Sequence, residues 1–73
     1  MEFDEAFEKL TKMAAGRRCK LEYGRYSCPE FGIYPVIYCL IMETEESCFI
    51  TTDHTTYEAA LVEMAELLKP EVM

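Results

Sequence analysis

The hydrophobic positions fall into blocks with different periods. In the first, Phe3, Ala6, Phe7, Leu10 and Met13 or Ala14 recur at three- and four-residue steps, one face of a helix. Glu2, Asp4 and Glu5 open this block and Lys9 and Lys12 come later, the order a helix dipole favours. Glu5 with Lys9 and Glu8 with Lys12 are spaced for ion pairs along one helix face, and Gly16 stands at a C-cap position. Over residues 17–27, Cys19, Leu21 and Tyr23 alternate with Arg18, Lys20 and Glu22, the mark of a half-buried strand. Gly24 is expected to mark a bulge or the start of a bend. The stretch "SCPEFG", residues 27–32, reads as a loop.

The next block, "GIYPVIYCLIM" over residues 32–42, has no charge and no clear alternation. It predicts a strand from about Ile33 to Met42 with two apolar faces. Pro35 has no N–H to give a ladder, so the early part of that strand is expected at an edge or a bulge. "ETEES", residues 43–47, is an acidic turn, and "CFITT", residues 48–52, a third strand. The final block places Tyr57, Ala60, Leu61, Met64, Ala65 and Leu68 on one helical stripe. Thr55 with Glu58 matches a capping box at its start. Lys69 falls in the last turn and Pro70 ends the helix.

The order is therefore α-β-β-β-α. Short loops favour a three-stranded antiparallel meander, and two helices of this length cover one of its faces. The expected fold is a two-layer α+β sandwich, a single domain over residues 1–73. In the middle strand Ile33, Ile37, Cys39 and Ile41 are assigned to the helices. Tyr34, Val36, Tyr38, Leu40 and Met42 then point to the other face, a partner or dimer surface; the opposite parity stays open, because both sets are apolar.

Composition narrows the reading. The chain has 73 residues, 51% of them hydrophobic, and a net charge of −7. That much apolar residue excludes a disordered acidic tail, while the charge repels phosphate backbones and suits a protein partner with a basic surface. Nucleic-acid binding is disfavoured, although Arg17, Arg18, Lys20 and Arg25 gather with Tyr23 and Tyr26. The chain has no apolar run long enough to span a membrane and no signal-peptide pattern at its start, so a cytoplasmic location is expected. Cys19, Cys28, Cys39 and Cys48 lack the close pairing of a zinc site and read as free thiols.

Chemistry has few candidates. The single histidine, His54, follows Asp53 and precedes Glu58. Asp53–His54 could serve as a base pair, or His54 with Glu58 as part of a metal site. Neither has the further ligands or nucleophile its chemistry needs, and Asp53, His54 and Thr55 read better as a helix start. A domain this small is also not expected to hold a pocket of ordinary ligand volume. No catalytic residue, metal or cofactor is therefore expected. Glu43, Glu45, Glu46 and Asp53 are expected near one end of the sheet, and with Glu58 and Glu63 they form an acidic edge for a basic partner.

The order α-β-β-β-α, closing in "CFITTDHTTYEAALVEMAELL", resembles the double-stranded-RNA-binding domain in topology. That family grips phosphates with lysines at the start of its last helix. Here Thr55, Thr56, Tyr57 and Glu58 stand there, so RNA binding is not implied. In size, charge and the ending "TTYEAAL" (T-x-Y-E-A-A-L) followed by a Leu-rich helix, the chain is also similar to small acidic phage proteins, some of them anti-CRISPR inhibitors. That resemblance implies a non-enzymatic inhibitor that binds a basic surface of a host nucleic-acid-handling complex. The alternative is a homodimeric structural or assembly protein that associates through its open sheet face.

Overall fold

The computed structural model describes residues 1–69. Its elements are α1 (Phe3–Ala14), β1 (Arg18–Cys28), β2 (Gly32–Met42), β3 (Cys48–His54) and α2 (Tyr57–Leu68). The strands form one antiparallel sheet in the order β1-β2-β3. Both helices pack on one face of it, as the α+β reading expects. Pro70 lies outside the described residues.

The core is a single cluster between the layers. Ala6, Leu10 and Ala14 from α1 and Ala60, Leu61 and Met64 from α2 meet Leu21, Ile37, Cys39 and Ile41 from the sheet. Alanines at three of these positions let the helix backbones lie close to the strands. The innermost line of α1 is thus Ala6–Leu10–Ala14. Phe3 and Phe7, assigned to the buried face by their spacing, flank that line and are about two-fifths exposed. Phe3 stacks on Phe7 and meets Tyr57 edge-on, and Tyr57 also meets Tyr23.

β1 and β2 pair without a break from Arg18↔Met42 to Cys28↔Gly32. Gly24 therefore marks neither a bulge nor a bend. β3 reaches β2 only between Met42↔Cys48 and Ile37↔His54. The rest of the β1–β2 hairpin stands out past the end of β3, and the molecule is long, 41 × 28 × 24 Å. Pro35 lies in this overhang, where β2 has β1 on one side and no strand on the other. Its missing N–H costs no ladder bond there. Ile33 lies near the tip, where the helices do not reach, so it is 72% exposed and its inward assignment is corrected.

The irregularity expected of the sheet is in β3. From Cys39↔Thr51 to Ile37↔His54, β3 uses one residue more than β2, so Thr52 and Asp53 together oppose Tyr38. Asp53 takes the left-handed backbone the bulge requires, with φ of 66°. The third strand thus continues through His54 instead of stopping at residue 52.

Helix ends also shift by a residue. α1 closes on Ala15, left-handed at φ of 51°, with Gly16 after it at 89°. Arg17 bonds back to the carbonyls of Ala14 and Met13 at 2.7 and 3.1 Å and lies over the Phe49 ring. α2 is capped by Thr56, whose hydroxyl accepts from the Ala59 N–H at 3.2 Å. The residue three after that cap is Ala59, so the Thr55–Glu58 capping box does not form. Glu8 and Lys12 pair at 3.6 Å, whereas Lys69, just past α2, pairs with Glu66. No Glu5–Lys9 pair occurs among the described residues.

Candidate functional site

Alternation along the strands settles which side chains face away from the helices. Ile37, Cys39 and Ile41 belong to the core cluster, so Tyr34, Val36, Tyr38, Leu40 and Met42 point to the open face. Their neighbours on that face are Arg18, Lys20, Glu22, Gly24, Tyr26 and Cys28 from β1. From β3 come Cys48, Ile50 and Thr52. The central-strand residues are shaded by these flanking side chains. Tyr34, Tyr38, Leu40 and Met42 are half-buried, and Val36 is buried outright.

A hollow lies along the overhanging hairpin. This half-open concavity of about 700 Å³ has Glu22, Gly24, Tyr26, Tyr34, Val36 and Tyr38 of the open face in its lining, together with Phe3, Leu21 and Tyr23 from the helix side, and it reaches Thr52 and Asp53 at the bulge. The expectation that so small a domain lacks a cavity of ligand size is corrected by this volume, which lies within the usual range of roughly 300–1,000 Å³. The reason is the hairpin overhang, which makes a wall that a compact sheet of this length would not have. Tyr26 and Tyr34 stack across it, with ring centroids 6.4 Å apart. Gly24, paired with Val36, lines it without a side chain of its own. Beside the hollow, Lys20 bonds Glu22 at 2.6 Å, and this partner holds the ammonium above its ordinary pKa.

The acidic residues do not form one edge. Glu43, Glu45 and Glu46 lie in the β2–β3 turn, where Thr44 ties the chain to Glu46 and Ser47 through its hydroxyl. Asp53 is at the opposite end of β3, because that strand runs on past residue 52. Its carboxylate accepts a bond from the Thr52 hydroxyl at 3.3 Å. Glu58, in the first turn of α2, pairs with the Met1 amine at 3.3 Å. Its own backbone N–H, and then that amine, hold its carboxyl below the ordinary range. Glu63 faces β3 and meets His54, Nε2 to Oε2, at 2.5 Å.

His54 thus pairs with neither Asp53 nor Glu58. It joins the end of β3 to the second turn of α2, a contact between layers. The sequence spacing hid it, since Glu63 is nine residues away and comes near only when α2 folds back over the sheet. Among the described residues, no group of three His, Cys, Asp or Glu side chains comes close enough to hold a metal ion. The cysteines of the described residues are unpaired, and burial pushes the Cys39 thiol up. A second, shallower groove of about 310 Å³ runs between the helices, lined by Met1, Lys9, Met13, Glu58, Leu61, Val62 and Ala65. No helix of the described residues is long and apolar enough to cross a membrane.

No known protein family, curated protein or solved structure matches this chain.

Proposed function

We propose that the protein is a non-enzymatic binding module that docks its open sheet face on a protein partner with a basic surface. The observation that carries this reading is the uncovered face itself. Two helices cover one side of the sheet, and the other presents Tyr26, Tyr34 and Tyr38 beside a hollow at the molecule's surface. Tyrosine suits such a place, because it buries a large ring while its hydroxyl stays wet, and it anchors many interfaces. The charge of −7 steers a basic partner toward the chain and repels bare nucleic acid. An inhibitor of a nucleic-acid-handling complex, of the kind small phage proteins supply, fits these properties. The test is capture from a host lysate on immobilised protein at low and at high salt. A basic partner is retained at low salt and released at high salt; retention of nothing at low salt removes the reading.

A second reading is favoured by the other half of the same face. Leu40, Met42 and Ile50 adjoin there, and a twofold-related copy would cover them. Light scattering at micromolar concentration separates the readings. A dimer that Tyr38→Glu splits supports self-association, and a clean monomer rules it out.

A further inference from the structure

Gly24 has no conformational reason to be glycine. It lies inside a strand whose register is unbroken on both sides, and it is not among the residues with positive φ. It makes no close backbone approach, since a Cβ built there meets nothing nearer than one ring carbon of Tyr26 at 4.0 Å. A glycine in the middle of a strand is destabilising. What its missing side chain does leave is space, and Gly24 lines the 700 Å³ hollow.

We infer that the hollow over Gly24 receives an arginine side chain of the partner. This rests on the binding reading above and names the chemistry at its centre. Its lining is rich in aromatic residues: Tyr26, Tyr34 and Tyr38 from the open face, and Phe3 and Tyr23 from the helix side. A guanidinium is planar and weakly hydrated, so it stacks on such rings better than an ammonium does. The rim carries two carboxylates, Glu22 and Asp53. Lys20 already occupies Glu22. Asp53 accepts only the Thr52 hydroxyl, and no cation pairs with it among the described residues. The bulge that sets Asp53 opposite Tyr38 therefore brings an acidic residue into the lining of the aromatic hollow. Tyrosine faces and a carboxylate at one end of a cavity are complementary to a flat cation on an apolar stem.

The inference is tested without the partner, so its failure is distinct from failure of the binding reading. The probes are the capped tripeptides acetyl-Gly-Arg-Gly-amide, its lysine counterpart and its leucine counterpart. Each is titrated into the wild-type chain and followed by tyrosine ring resonances in NMR. The arginine peptide shifts the rings of Tyr26, Tyr34 and Tyr38 saturably, and binds about threefold or more tighter than the lysine peptide. Gly24→Val fills that space and removes these shifts. Its thermal midpoint stays at or above wild type, since valine suits a strand better than glycine. Asp53→Asn keeps a residue that tolerates the left-handed backbone and weakens arginine binding severalfold. Equal binding of the arginine and lysine peptides, unchanged binding to Gly24→Val, or ring shifts that do not saturate would each overturn the assignment.

Discussion

Thr51 is fully buried in the sheet, and its hydroxyl has no full-strength hydrogen-bond partner. The group beside it is the Cys39 thiol, across the ladder, a poor acceptor that offers only a weak bond. A buried hydroxyl left this way is a cost, so Thr51→Val raises stability by about 1 kcal/mol, read as the midpoint of urea unfolding. Glu58 makes a prediction of opposite sense on acidification. Its carboxyl sits below its ordinary value of 4.5 because its own N–H and the chain amine favour the charged form. The stability it adds is present above the ordinary value and is lost as pH falls through the lowered one. Thermal melts of wild type and Glu58→Gln should therefore differ near neutrality and converge in acid. The sequence shows that an acidic residue opens α2, but not which hydroxyl caps it. Thr55 and Thr56 are adjacent, and their choice follows from where the β3 bulge lets the chain turn. That bulge depends on a left-handed Asp53, a conformation that Asp tolerates but does not impose.

The boundaries of the elements were largely legible because their periods differ. Three- and four-residue spacing marks the helices, and alternation marks β1. The parity of β2 was legible only in part. Ile37, Cys39 and Ile41 do enter the core, but Ile33, with the same parity, does not. Alternation says which way a side chain points, not whether a helix is there to meet it. The contrast is measurable on one strand. Ile37→Ala removes a core side chain and costs about 3 kcal/mol. Ile33→Ala, on the overhang, changes stability by less than about 0.5 kcal/mol. Both values come from denaturant melts. Comparable costs at the two sites would mean that the hairpin tip is packed against something in solution. The hollow was illegible for a related reason: it needs a hairpin longer than the strand beside it, and strand lengths near a bulge are set by pairing.

At the scale of the molecule, charge and shape divide the surface unevenly. Negative charge is spread over the outer helix faces and the β2–β3 turn, while Arg18 and Lys20 lie on the open face with the tyrosines. The composition made an acidic protein legible, but the assumption of one acidic edge failed. Residues close in sequence, from Glu43 to Asp53, are carried to opposite ends of β3. The sheet face, its hollow and its aromatic lining thus bear more of the proposed contact than the carboxylates do. The central claim is that this face meets the partner. Capture of the partner by the wild-type chain, by Tyr38→Glu and by Val62→Glu tests it most directly. Val62 is exposed on α2, in the groove between the helices. Loss of the partner by Tyr38→Glu, with retention by Val62→Glu and both variants folded, is the predicted result; loss by Val62→Glu with retention by Tyr38→Glu would contradict it.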